Sequence, residues 1–177
     1  MSQEPLEALL RARARALAAP DDDARARTTR VLVFNLAAER YALEARWLLG
    51  ALPRARWTRL PGAPGALLGL TPFRGEPLAV FDLRALLGVD GSTAGQAAVV
   101  LGGDAPELAL AVDGLEEVIS VRRDALRPAP AGAAALARVP TLGVLEDGLA
   151  VLDAAALLDD PRLVVDDPPA RGERDEG

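Results

Sequence analysis

Carboxylates and arginines are the side chains with which this sequence could perform chemistry. Acidic residues are adjacent at Glu116 and Glu117 and at Asp159 and Asp160, and a run of three occupies 21–23. Two carboxyl groups that face one pocket ~5–10 Å apart could serve as the acid and base of a hydrolase. Neighbouring residues of a strand point to opposite faces, so Glu116 and Glu117 are not expected to share a proton. The run at 21–23 is interpreted as a solvated linker rather than a metal site.

Several other reactive side chains are missing. The sequence has no Cys and no His, and all 20 of its basic residues are arginines. These absences exclude thiolate nucleophiles, imidazole bases, disulfides, and zinc sites built from thiolate or imidazole. Triads of the Ser-His-Asp and Cys-His kinds are excluded as well. We therefore predict a protein that is not an enzyme and needs no cofactor or metal.

Charge and hydropathy narrow the set of partners. The net charge of −6 argues against nucleic acid, although Trp47 and Trp57 could in principle stack on bases. No apolar run approaches the ~18 residues of a membrane-spanning helix, so direct membrane insertion is not expected. The first residues do not form a basic stretch followed by an apolar one, which favours a cytoplasmic protein.

The elements that must position these side chains are short. From Val31 onward, brief apolar stretches alternate with Gly, Pro and Asp, which is typical of small β-barrels or a sandwich. Residues 1–30 are predicted to form an N-terminal helix and linker that either docks on the body or binds a partner. Residues 161–177 are predicted to form a flexible C-terminal tail. The helix prediction rests on leucines near helical spacing, at Leu6, Leu9, Leu10 and Leu17.

An internal repeat organises the body. Residues 78–87 and 149–158 are identical at seven of ten positions, and each copy reads as a buried strand, an Asp and a short helix. Because a carboxylate can accept hydrogen bonds from the free amides of a first helical turn, Asp82 and Asp153 are predicted to be structural N-caps.

A second repeat supports the first. Residues 34–44 and 100–113 both read as strand, turn, strand and acid. The sequence therefore predicts an all-β domain over 31–160 made of two similar subdomains, at 31–88 and 97–159. A half of ~60 residues buries little apolar surface alone, so a shared hydrophobic core is expected between them.

A family resemblance is carried by residues 60–87, with support from 31–44, 111–118 and 126–130. In this order and spacing they resemble the CheW family of chemotaxis coupling proteins. The match covers about 31–160. Its most specific part is a Pro-rich turn at 60–64, then Gly69, the tripeptide Phe73-Arg74-Gly75, and a strand ending in Asp82-Leu83.

The resemblance implies two small five-stranded barrels around a common hydrophobic core. It also implies a non-catalytic adaptor that binds the regulatory domain of a CheA-type histidine kinase and the cytoplasmic tip of chemoreceptors. Such a protein would work in the cytoplasm, including at membrane-associated receptor arrays. Two alternatives remain: a scaffold of the same fold in a motility or pilus pathway without a transmembrane receptor, and a carboxylate-based hydrolase.

Partner-binding residues follow from the same resemblance. Arg74 matches the family's partner-contacting arginine, and its alternative is a structural tie to a local carboxylate. Leu48 matches an apolar contact near the groove between the barrels, and its alternative is simple core packing. Leu115 and Val118 are expected to line that groove from the second half.

The sequence also departs from the family pattern. Gly50 stands where many members have an acidic residue, and Leu68 stands where a basic residue is common. Pro72 and Phe73 replace the usual Asn-Leu or Asn-Val before the arginine. These departures lie in the partner-facing first half, and they predict a divergent coupling protein.

Overall fold

Two five-stranded β-sheets make up the body, as the family resemblance implied. The computed structural model describes residues 27–63, 65–91 and 97–164. The predicted N-terminal helix lies outside these residues, as does the C-terminal segment after Val164. No helix among the described residues is long and apolar enough to cross a membrane.

The first sheet combines strands from both ends of the chain. Its strands are β1 (Thr28–Leu36), β2 (Glu39–Glu44), β8 (Gly114–Arg122), β9 (Thr141–Val144) and β10 (Ala150–Leu152). They have the order β8-β1-β2-β10-β9, in which only the β10–β2 pair is parallel.

The second sheet takes the strands in between. These are β3 (Leu48–Leu52), β4 (Leu67–Phe73), β5 (Glu76–Asp82), β6 (Ala97–Gly102) and β7 (Pro106–Val112). Their order is β3-β6-β7-β5-β4, and only the β5–β7 pair is parallel.

The sheets do not follow the predicted halves. The repeat is real, since β1–β2 occupies the same place in one sheet as β6–β7 does in the other. However, the hairpin of each half pairs with the later strands of the opposite half, so the subdomain limits 31–88 and 97–159 are wrong as sheet boundaries. A 3₁₀ turn at Ala45–Trp47 carries the chain into the second sheet, and Asp113 carries it back. An alternating apolar pattern marks a strand but not the sheet that receives it.

Two short helices follow the parallel strands, and each has an aspartate cap. Helix α1 (Leu83–Leu87) begins after Asp82, whose carboxylate accepts from the Arg84 N–H at 2.9 Å. Helix α2 (Ala154–Leu158) begins after Asp153, which accepts from the Ala156 N–H at 3.1 Å. Burial raises the pKa of Asp82, and the backbone donors at the cap oppose that rise.

The shared core lies between the sheets. Because successive side chains of a strand face opposite ways, Leu32 and Phe34 of β1 enter the shared core while Val31 and Val33 fill the interior of the first sheet. In β6, Val99 enters the shared core and neighbouring residues fill the second sheet. Helices α1 and α2 add leucines to the same cluster. The expected common core is therefore present, and residues from both sheets form it.

The folded body extends beyond its predicted limits at both ends. Strand β1 begins at Thr28, inside the segment predicted as linker. A 3₁₀ turn at Pro161–Leu163 follows α2, and the Leu163 side chain is buried in the shared core. The prediction of a flexible tail is therefore wrong for 161–163, because the Leu163 side chain packs in the shared core.

Candidate partner-binding surface

The edge strands of the second sheet meet across a seam, which we define as Leu49, Gly50, Phe73 and Arg74. Gly50 lies in β3 and Phe73 ends β4, and these strands stand at opposite ends of the sheet order. The half-buried Phe73 ring packs against the apolar interior of this sheet and directly over Gly50. The seam therefore brings the two edges of the sheet together.

Arg74 lies in the turn from β4 to β5 with an exposed side chain and a positive φ of 52°. Its Nη2 donates to the Leu49 carbonyl at 3.0 Å, and its guanidinium carbon is 5.0 Å from the Phe73 ring centroid. In the part of the chain that the structure describes, no carboxylate pairs with Arg74. The local tie that sequence allowed is thus to a carbonyl and a ring rather than to an acid.

Leu48 adjoins the seam as the first residue of β3. It pairs with Leu101 and is half-buried against the shared core. Core packing and surface access are therefore both true of this side chain. The Arg74–Leu49 hydrogen bond holds Arg74, which follows β4, against β3, so Arg74 and Leu48, two of the predicted contact residues, both lie at the seam.

Leu115 and Val118 lie on edge strand β8 of the first sheet. Leu115 is half-buried against the shared core. Val118 is 44% exposed and pairs with Leu32, which belongs to that core. Because directly paired residues of adjacent strands share a face, Val118 extends the apolar core face of the first sheet out to solvent.

In each of the adjacent acidic pairs at 116–117 and 159–160, one carboxylate pairs with an arginine. Glu116 accepts from Arg40, with Nη2 and Oε2 2.8 Å apart, and this contact lowers the pKa of Glu116. Asp160 accepts from the backbone N–H and the guanidinium of Arg162. No group of three metal-ligating side chains occurs among the described residues. One carboxylate of each adjacent pair, Glu116 or Asp160, is therefore held in an ion pair.

A cavity of about 620 Å³ opens between the start of β2 and the loop at 130–136. Ala133, Ala134 and Ala135 contribute to its lining, together with Tyr41 and Glu39. The Tyr41 hydroxyl donates to Glu39 at 2.6 Å, and burial together with this contact raises the pKa of the tyrosine. The polar groups on this side of the cavity are thus already partnered to each other.

Sequence reasoning missed the role of Glu44, which ends β2. Its carboxylate is 1% exposed and accepts from Thr29 Oγ1 at 3.2 Å, Arg46 at 2.9 Å and Arg123 at 3.0 Å. It thereby fixes the point where the chain leaves the first sheet. The repeat in the sequence had already placed an acid at this position in both hairpins, which was the available signal.

Asp113 is the corresponding acid after β7. Its carboxylate accepts from the Ala37 N–H at 2.7 Å and from the guanidinium of Arg84. It therefore joins the return crossing to the turn between β1 and β2 and to helix α1. Both crossings between the sheets are held by an acid and an arginine.

Comparison with known proteins bears on the family and the fold of this chain. Residues 30–162 match the model of the CheW-like domain family. The chain is 27% identical over 125 residues to the chemotaxis protein CheW of Klebsiella aerogenes, covering 68% of this chain and 75% of that protein.

Among solved structures, the scaffolding protein TtCheW from Thermoanaerobacter tengcongensis has a similar fold. The TM-score is 0.58 at 20% identity, over 71% of this chain and 87% of that one. The family model matches most of the body, and the chain is a non-catalytic adaptor of chemotaxis signalling. This chain belongs to the CheW-like domain family.

Proposed function

We propose that this chain couples a CheA-type histidine kinase to chemoreceptors, and that it binds the kinase's regulatory domain through Leu48 and Arg74. The exposed guanidinium of Arg74 carries this proposal. One of its donors is bound to the Leu49 carbonyl, and a guanidinium has several N–H groups in a planar fork. Such a fork can pair with a carboxylate of a bound protein while Leu48 supplies apolar contact beside it.

The second surface is the edge of the first sheet at Leu115 and Val118. Here the apolar face of the shared core reaches solvent. An amphipathic helix can place its apolar side chains on such a face, which suits the helical tip of a chemoreceptor. Two partners would then occupy different sheets of one adaptor.

Purified protein and kinase regulatory domain test the first surface by titration calorimetry. Arg74→Ala and Leu48→Glu should each weaken binding by about tenfold or more, since a charged pair and an apolar anchor would be lost. Leu142→Ala, at a partly exposed leucine of the first sheet, is the matched control and should bind like the wild type.

The wild-type chain should also co-purify with a CheA-type kinase from its own cells. We expect the complex both in the soluble cytoplasmic fraction and in membrane fractions that contain receptor arrays. Recovery of the chain without any such kinase or receptor would refute the proposal. Equal affinity of Arg74→Ala and the wild type would remove Arg74 from the interface.

A further inference from the structure

The Phe73 ring occupies the space that a side chain on Gly50 would need. A Cβ built on Gly50 would lie 2.7 Å from Cζ and 2.8 Å from Cε2 of the Phe73 ring. Carbon atoms in contact prefer separations near 3.5–4.0 Å, so no larger residue fits at this position while the ring stays in place. The backbone itself does not demand glycine, since Gly50 is not among the residues with positive φ.

The ring in turn positions Arg74. The guanidinium carbon lies 5.0 Å from the ring centroid, within the range of a cation–π contact, while Nη2 is held by the Leu49 carbonyl. A side chain on residue 50 would displace the ring, and Arg74 would then lose its cation–π contact, one of its two contacts. The residue at position 50 therefore affects the position of the Arg74 guanidinium through the Phe73 ring, without contacting it.

We propose that Gly50 and Phe73 form a matched steric pair that sets the partner specificity of the seam. The pair removes any side chain at position 50 and presents an aromatic ring beside a fixed guanidinium. The surface that fits it carries a carboxylate opposite Arg74 and an apolar side chain opposite the ring. This inference rests on the proposed function, and the kinase regulatory domain is the partner to which it is applied.

A double-mutant cycle tests the steric pair without any partner. Gly50→Ala should lower the melting temperature by about 3 °C or more, because the ring must leave its packed position. In a Phe73→Ala background the same change should cost nothing. Gly103→Ala is the control, because its added Cβ would meet nothing closer than 3.8 Å. Additive effects of the two substitutions would overturn the steric pair.

Binding to the kinase regulatory domain tests specificity. Gly50→Ala leaves Phe73 and Arg74 in the sequence but displaces them, so affinity should fall by about tenfold. Phe73→Leu should also weaken binding, whereas Leu142→Ala should not. If the wild type binds and both seam variants bind equally well, the specificity proposal is overturned and the proposed function stands. If the wild type binds no kinase, both are overturned, and the melting cycle alone still decides whether the two residues form a steric pair.

Discussion

Arginine supplies the cation in every ion pair of residues 27–63, 65–91 and 97–164, because the sequence contains neither Lys nor His. Most of these pairs have an exposed arginine and contribute little by themselves. The pair of Asp160 and Arg162 does more. Arg162 also donates to the Arg138 carbonyl at 2.8 Å, and therefore ties the turn after α2 to the loop before β9.

The Asp160 pair gives stability that depends on pH. Hydrogen bonds from Arg162 hold the pKa of Asp160 below its usual value. A lowered folded-state pKa stabilises the protein above the unfolded pKa of about 3.9, and this stability is lost as the pH falls through the folded value.

We therefore expect the urea midpoint of the wild type to fall more steeply between about pH 5 and 2.5 than that of Arg162→Met. Arg162→Met is expected to be less stable at neutral pH, but it should have the shallower acid dependence. Arg54→Met, at an exposed arginine, should keep the wild-type slope. Parallel pH profiles for the wild type and Arg162→Met would refute this assignment.

Local chemistry made some residues predictable and left others hidden. Asp82 and Asp153 were predictable because a cap needs only the amides one turn ahead. The contact of Gly50 with Phe73 was not, since it joins edge strands that are distant in sequence. Sequence comparison treated these two residues as separate departures from the family pattern, and the structure shows that they touch.

At the scale of elements, each sheet is closed by one isolated bridge beside a glycine. Thr58 bridges to Leu70 in the second sheet, and Arg127 bridges to Val144 in the first. Gly69 and Gly143 precede the bridged strand residues, and the opposite backbone passes close to both. A Cβ on Gly69 would lie 2.0 Å from the Thr58 carbonyl oxygen.

Gly69→Ala should therefore open the bridge between Thr58 and Leu70. The neighbour is backbone rather than a movable side chain, so we expect a loss of about 2 kcal/mol or more in the free energy of unfolding, measured by urea denaturation. Gly114→Ala is the control, since its nearest neighbour would be 3.9 Å away. A stable Gly69→Ala protein with protected Thr58 and Leu70 amides in hydrogen exchange would contradict the prediction.

The strands themselves followed from composition, but their assignment to sheets did not. Short apolar stretches between turn residues mark where strands occur. The hairpins are exchanged at the two crossings at Glu44 and Asp113, where hydrogen bonds to these two acids hold the chain. Those contacts form between segments that are far apart in sequence, so hydrophobic periodicity cannot predict them.

At the scale of the whole molecule, neither half of the chain contains all the strands of one sheet. Residues before 92 supply the hairpin of the first sheet and three strands of the second, and residues from 97 supply the remainder. Both sheets also share one core. The described body should therefore unfold as a single cooperative unit.

Cutting the chain between 91 and 97 tests this interlocking. Fragments 1–91 and 97–177 should each be largely unfolded alone, and an equimolar mixture should recover the circular dichroism and amide spectrum of the intact chain. A matched cut in the turn between β6 and β7 would leave the hairpin of one sheet divided and should recover less. A fragment that folds alone would show that the halves are independent after all.

The exchanged hairpins also define a two-fold relation inside one chain. Strands β1 to β5 occupy positions in the two sheets that are equivalent to those of β6 to β10. The first hairpin of each set belongs to the sheet that contains the remaining three strands of the other set. A self-complementary contact of this kind is the one that joins the subunits of a symmetric dimer. In geometric terms the molecule is a fused pair of intertwined protomers. Because the sequences of the two halves differ, the equivalent edges of the two sheets are different faces, one with the aromatic seam and one with the exposed Val118.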